Sequence, residues 1–360
     1  VEPLLRGGPA GPIPSRAAWL PALALALLAA AGPAQSDAER RAIVSVVRIA
    51  DRAPHAAFTD LVRWRDALWC AFREGSGHVP GTNGVIRLIR SADGEDWRTA
   101  AVLDEEGVDL RDPKLSVHPD GRLMLLAGGS VYRGRDLVGA ATRVAFSADG
   151  ETFGTLAPIE LEAAIRTGRD WLWRVTWHGG TAFGVVYQPG GDGTITRLLS
   201  STDGLRWRTL GTWDLDGRPN EATLRFLPDG RMLALVRREG GDRSGRIGVA
   251  APPYTAWSWA ALPVPLGGPE LIVVPDPERE PALLAITRQY GDPARTLVAR
   301  VGLDGSFAPL LTLPSGGDTS YAGAVLDGDR LSISYYASHE GRTAIYLARL
   351  RLPPLLAPPK

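Results

Sequence analysis

Three copies of one seven-residue pattern, S-x-D-G-x-x-aromatic, constrain this chain more than any other feature. They are Ser91-Ala92-Asp93-Gly94-Glu95-Asp96-Trp97, Ser147-Ala148-Asp149-Gly150-Glu151-Thr152-Phe153 and Ser201-Thr202-Asp203-Gly204-Leu205-Arg206-Trp207. The copies lie 56 and 54 residues apart. Self-similarity at such a period marks a repeated supersecondary unit that must stack on its neighbours to bury its apolar face. Each copy has the chemistry of a fastened hairpin turn. Asp and Gly suit the turn itself, the Asp carboxylate and Ser hydroxyl can accept nearby backbone N–H groups, and the aromatic ring packs beneath.

Between these turns, short β-rich runs alternate with Gly, Pro, Asp and Asn, and sustained helical periodicity is almost absent. Residues 160–168 are the best short helix candidate. Two further turns, His118-Pro119-Asp120-Gly121-Arg122 and Leu227-Pro228-Asp229-Gly230-Arg231, each join a strand to a second apolar run, as the first hairpins of two units. Six segments align as opening strands: 58–62, 111–115, 173–177, 220–224, 268–272 and 319–323. A spacing of roughly 50 to 60 residues accommodates four strands and their turns. The predicted fold is all-β, a six-bladed β-propeller; a β-sandwich explains neither the period nor the repeated turn.

Composition narrows the partners. Apolar residues make up 44% of 360 residues, enough for the core of a single repeat domain. Acidic and basic residues balance at 40 each, which gives no reason to expect nucleic acid or an anionic membrane as partner. Arg16 precedes the apolar run 17–31, which ends in Gly32-Pro33-Ala34-Gln35. That run reads as a secretory signal cleaved near Ala34 and is short for a transmembrane helix. Residues 1–34 are therefore expected to be a signal peptide, and 35–360 one propeller domain of a secreted or periplasmic monomer without stable membrane insertion. Cys70, the only cysteine, lies in a strand-like run and reads as a buried small hydrophobe. No zinc-ligand spacing, phosphate-binding glycine loop or G-x-S-x-G elbow is present, so neither metal nor cofactor is expected.

In a propeller the inner strands surround a central channel, and side chains at one end of them converge on the axis. Here the strand starts are rich in polar and aromatic types: Asp60, Arg111, Asp112, Trp171, Trp173, Arg174, Glu221, Asp318 and Tyr321. Such convergence predicts a small-molecule pocket. Trp171 is a candidate for stacking on a sugar ring, whereas Trp173 fits burial between blades equally well. His339, in Ser338-His339-Glu340-Gly341, reads as a solvated loop histidine before a proton carrier.

The S-x-D-G-x-x-W turns in a secreted six-unit pattern resemble the Asp-box repeats of the sialidase (neuraminidase) superfamily, over nearly the whole mature chain. The resemblance implies a six-bladed propeller with Asp-box hairpins and an exo-acting glycoside hydrolase. In that family a Glu on an inner strand of blade four is followed about fifteen residues later by an Arg, then by a second Arg and a Tyr on the last blade. Glu221, Arg237, Arg288 and Tyr321 stand in that order here, and Ala71-Phe72-Arg73-Glu74-Gly75 resembles the family's blade-one strand. The implied chemistry is a Tyr321–Glu221 nucleophilic pair, with Arg73, Arg237 and Arg288 binding a sialic acid or related acidic sugar of a glycan; Arg111, Arg174 and Asp318 are further candidate substrate contacts by their place at strand starts. A tyrosine oxygen avoids the repulsion a carboxylate nucleophile meets from a carboxylate on the anomeric carbon. Arginines supply planar, permanently charged forks for that group.

Two departures from the family pattern matter. Its first strand carries an arginine where this chain has Thr59, followed by Asp60, and no Asp occurs between Gly75 and Arg90 to serve as acid/base, where His78 and Asn83 are the nearest polar residues. Asp60 or Asp112 is therefore expected to take that role. A second reading follows from Asp60, Asp112 (in Arg111-Asp112-Pro113) and Glu221, a trio resembling that of other propeller glycosidases. In it Glu221 is the general acid, Asp60 the nucleophile or base, and Asp112 tunes charge on a neutral sugar. A non-catalytic carbohydrate-binding propeller is the remaining alternative.

Overall fold

The computed structural model describes residues 37–79, 81–190 and 193–356; the expected signal peptide, 1–34, lies outside them. Six antiparallel blades follow one another around a ring. Blade one comprises His55–Trp64, Ala67–Gly75, Val85–Ser91 and Arg98–Leu103. Blade two comprises Asp109–Val117, Leu123–Arg133, Asp136–Ser147 and the short Ala157–Pro158. Blade three runs Arg169–His178, Thr181–Gly190, Gly193–Ser201 and Arg206–Thr212. Blade four runs Pro219–Phe226, Met232–Arg238, Ser244–Ala250 and Ser258–Pro265. Blade five has Glu270–Val274, Ala282–Gln289, Arg295–Val301 and Phe307–Leu313. Blade six has Thr319–Asp327, Arg330–Ala337 and Ala344–Arg351, and its outermost strand is Ile43–Ala50 from the other end of the chain. All six segments aligned in the sequence fall in or immediately before the first strand of a blade.

The second strand of each blade is covered on both faces, and the residue types follow. Leu123–Arg133 begins with an unbroken buried run, Leu-Met-Leu-Leu-Ala, and Met232–Arg238 begins Met-Leu-Ala-Leu-Val. A strand with one wet face would alternate apolar and polar residues; these do not, because a neighbouring blade packs on each side. The described residues accordingly form six apolar clusters, one at each junction between blades. Trp64, Trp69 and Leu88 of blade one, for example, meet Leu115, Leu125 and Ala145 of blade two. Tyr336, Ile345 and Leu347 of blade six meet Phe58, Cys70 and Phe72 of blade one across the closure.

The three Asp boxes join the third and fourth strands of blades one to three and are built alike. In the second, Ser147 Oγ accepts the Gly150 N–H at 2.7 Å, and Asp149 Oδ1 accepts the N–H groups of Glu151 and Thr152 at 2.8 and 2.7 Å. Gly150 has φ +79°, and a Cβ there would come within 2.2 Å of the Trp69 ring, so only glycine fits. Residues 160–168 are not helical. Glu160 and Leu161 pair in parallel with Arg206 and Trp207, and Glu162 accepts the Thr209 N–H at 2.9 Å. The backbone donors and acceptors that a helix would have used internally serve here to strap blade two to blade three.

Candidate active site

The inner strands start on the face opposite the Asp boxes, and five of the six are irregular there. Their pairing slips between Ala57 and Asp60, Arg111 and Lys114, Leu172 and Val175, Pro219 and Ala222, and Ser320 and Gly323. Such slips re-aim side chains that the normal alternation would direct elsewhere. Phe58 (φ 59°), Asp112 (φ 46°), Ser320 (φ 93°) and Tyr321 (φ 52°) lie within them in the left-handed region. Strained backbone of this kind persists only where surrounding packing over-determines it. Tyr321 of blade six thereby meets Glu221 of blade four, and Asp112 of blade two comes near enough to feel the Glu221 charge.

Tyr321 and Glu221 form the centre. The Tyr321 hydroxyl donates to Glu221 Oε1 at 2.7 Å, and Arg237 Nη1 lies 2.7 Å from both that oxygen and the hydroxyl. Glu221 Oε2 accepts the Gly268 N–H at 2.8 Å. Gly268 has φ +56°, and a Cβ there would fall 2.5 Å from the Tyr321 ring, so a glycine lets the backbone reach both residues. Burial pushes the Glu221 carboxyl up. The Arg237 charge and the hydrogen bonds from Arg237, Tyr321 and Gly268 outweigh it and hold the group below its usual range, so it is an ionised base. Burial and the Glu221 charge push the Tyr321 phenol well above its ordinary value. The hydroxyl is therefore protonated at rest and aimed at a base.

Asp112 belongs to the same neighbourhood with opposite character. Its Oδ1 is buried with no hydrogen-bond partner. Burial raises its pKa, the Arg111 and Lys114 charges offset part of the rise, and the Glu221 charge adds to it. Two carboxyls whose environments drive their pKa values apart are the pattern of an acid paired with a base.

Other candidates line the mouth. Arg288 lies over the Tyr321 ring at 5.5 Å and donates to Thr319 O at 2.7 Å, Asp318 Oδ1 at 3.2 Å and the Tyr336 hydroxyl at 2.9 Å. Arg111 donates to Asp109 Oδ2 at 3.3 Å and His78 O at 3.2 Å. Trp171 is half-buried and near-parallel to Tyr187, with ring centroids 6.4 Å apart. Beside them a cavity of about 340 Å³ opens between the 76–84 loop and the 131–136 hairpin, lined by His78, Asn83, Asp109, Tyr132 and Arg135. Tyr321, Glu221, Arg237 and Asp112 do not line it. His339 packs on Tyr346 at 4.9 Å, away from this group.

Three expected site residues lie elsewhere. Asp60, 1% exposed, accepts the Leu115 N–H at 2.7 Å and Arg174 Nη1 at 2.7 Å. Arg174 also lies 2.8 Å from Glu270 Oε2 and donates to Ala322 O at 3.2 Å, while Arg225 pairs with Glu270 Oε1. Lys114 Nζ sits among these charges, 4.6 Å from the Trp173 ring, and burial lowers its pKa to about 8. These groups, drawn from all six blades, form a buried ionic layer farther along the channel. Asp60 is not placed as nucleophile or base, nor Arg174 as a substrate contact, because each is consumed by that layer. Arg73 is likewise consumed: it donates to Asp109 Oδ1 at 3.0 and 2.8 Å and to Gly77 O and Thr82 O, pinning the 76–84 loop. Lys114, Tyr187, Glu270 and Tyr336 carried no motif, and Gly268 was legible only as a strand start.

One group among the described residues has a metal-ligand composition, His55, His78 and Asp318, whose ligand atoms lie within 4.8 Å of one another.

No protein-family model matches the chain, and no curated protein matches it in sequence. Solved structures match its fold. A protein of unknown function from Dyadobacter fermentans is 19% identical with a TM-score of 0.74, covering 86% of this chain and 98% of that one. The Fusarium graminearum GH93 α-L-arabinofuranosidase, solved with arabinobiose, is 17% identical with a TM-score of 0.66, covering 88% and 99%. Trypanosoma rangeli sialidase, solved with sialic acid, is 13% identical with a TM-score of 0.65, covering 86% of this chain and 57% of the sialidase. The fold is that of the sialidase-like six-bladed propellers, shared with glycoside hydrolases. No described helix is long and apolar enough to cross a membrane.

Proposed function

We propose that the protein is an exported, exo-acting glycoside hydrolase that removes a terminal acidic sugar, sialic acid or a relative, through Tyr321 and Glu221. The observation that carries this reading is the Tyr321 hydroxyl donating to Glu221 Oε1 at 2.7 Å with Arg237 against both. In the first step the Tyr321 oxygen attacks the anomeric carbon and passes its proton to Glu221, while protonated Asp112 gives its proton to the departing glycosidic oxygen. In the second, Asp112 as carboxylate takes a proton from water. The water oxygen displaces the Tyr321 oxygen from the sugar, and Glu221 returns the proton to the phenolate. Arg237 and Arg288 offer charge to the substrate carboxylate. Export, to the outside or the periplasm, rests on the Arg16-led apolar run ending near Ala34.

A panel of fluorogenic glycosides tests this reading. Tyr321→Phe is expected to lose at least ~10³-fold in kcat with its unfolding midpoint unchanged. Asp112→Asn should flatten the basic limb of the pH–rate profile, because activity falls there as Asp112 loses its proton. A second reading, Glu221 and Asp112 acting as a carboxylate pair on a neutral sugar, has its own support: Arg237 already pairs with Glu221 and Glu239, and Arg288 with Asp318. Under it Tyr321→Phe keeps most of its activity while Glu221→Gln loses it.

A further inference from the structure

We propose that His55, His78 and Asp318 bind a divalent transition-metal ion of the zinc or iron(II) type at the rim between blades one and six. Asp318 Oδ2 lies 3.2 Å from His55 Nε2 and 2.8 Å from His78 Nδ1. Ligand atoms at about 2.0–2.2 Å from one ion stand roughly 3 Å apart, so the three need only part slightly to admit it. Two imidazoles and one carboxylate are borderline donors that suit zinc or iron(II); calcium and magnesium call for oxygen-rich sites.

Asp318 is held by second hydrogen bonds of the kind metal sites use, and both imidazoles are packed against aromatic rings. The other oxygen of Asp318 accepts from the Tyr336 hydroxyl at 2.8 Å and from Arg288 at 3.2 Å. His55, 6% exposed, is flanked by the rings of Phe58 and Tyr336 at 6.2 and 6.4 Å. His78 stands edge-on to Phe58 at 4.9 Å. His55 Nδ1 is buried without a partner. With its proton on Nδ1, His55 has the Nε2 lone pair free to bind a cation beside the Asp318 carboxylate. His78 is half exposed, and a cavity of about 660 Å³ lined in part by His55, Ser76, Ser338 and Arg342 opens alongside. An ion would thus have a route in from solvent and room for water ligands. His55 and His78 lie 263 and 240 residues from Asp318, which is why no spacing betrays the site.

The test uses the untagged full chain, stripped with a chelator, dialysed, and titrated calorimetrically with zinc chloride. One equivalent per chain is expected, with cobalt(II) giving a visible d–d band at the same stoichiometry. His78→Ala removes a surface side chain and should leave the melting temperature of the stripped protein unchanged while weakening zinc binding by at least about 10-fold. Asp318→Asn should weaken it as well, and Tyr336→Phe by less. Absence of saturable zinc binding, or unchanged affinity in His78→Ala, overturns the proposal. The readout is metal affinity, so the outcome is independent of whether any glycoside is cleaved.

Discussion

The two ends of the propeller both bind backbone and side-chain polar groups tightly, but over very different stretches of chain. At the Asp-box end, Asp149 takes its N–H donors from residues two and three places ahead, and Ser147 from three ahead. At the opposite end, Glu221 takes its donors from 16, 47 and 100 residues away. A box is thus finished as soon as its own hairpin forms. The site exists only when blades two, four, five and six have all docked. Local satisfaction yields a motif that repeats; distant satisfaction yields a place where chemistry can be assembled from unlike parts.

The comparison predicts that damage at the site end spreads and damage at the box end stays local. The largest effect is expected for Arg174→Met, which removes from Asp60 and Glu270 the buried cation they share. A loss of about 3–5 kcal/mol in urea unfolding is the expected outcome, and a loss under 1 kcal/mol would show the ionic layer to be slack. Two glycine substitutions sharpen the contrast further. Gly268→Ala drives a methyl into Tyr321 and should cost ~10²-fold in kcat on whichever glycoside the protein cleaves, since small displacements at reacting groups are this expensive. Gly150→Ala imposes comparable crowding against Trp69 and should cost about 1–3 kcal/mol of stability with kcat of the folded protein intact. Equal kinetic losses in both would abolish the distinction between the ends.

The smallest effect is expected for Asp149→Ala. Hydrogen bonds from the Thr152 and Glu151 N–H groups, then Ser147, hold the carboxyl at about 2, against an ordinary value of 3.8. A depressed native value means that the stabilisation is complete above the ordinary value and is lost as pH falls towards about 2. The gap in melting temperature between wild type and variant should therefore be widest above pH ~4 and close on acidification. A gap that widens in acid would reverse the assigned role.

The same contrast explains what could be read in advance. Boxes, first hairpins and the six inner-strand starts were legible because each is a local pattern that recurs. Glu221, Arg237, Arg288 and Tyr321 were legible through their order. Asp60 and Arg174 were misplaced for a physical reason: a bulge adds a residue and flips the alternation beyond it, so a strand-start acid reads the same whether it faces the mouth or a buried layer. Arg73 misled in another way. It ends a strand on the correct face, but its partner Asp109 lies on the next blade, and sequence alone does not pair them. The segment 160–168 was read as helix because its use as a strap depends on Arg206 and Trp207, far along the chain.

The pairing of Ile43–Ala50 with Ala344–Arg351 carries a consequence for biosynthesis. Of the ring's strands Ile43–Ala50 leaves the ribosome first and its partner last, so its edge stays open while about 300 residues are translated. The ring is in this sense unlocked until the hairpin ending in Ala344–Arg351 emerges, and a ring cut short after blade one is a horseshoe with two open rims.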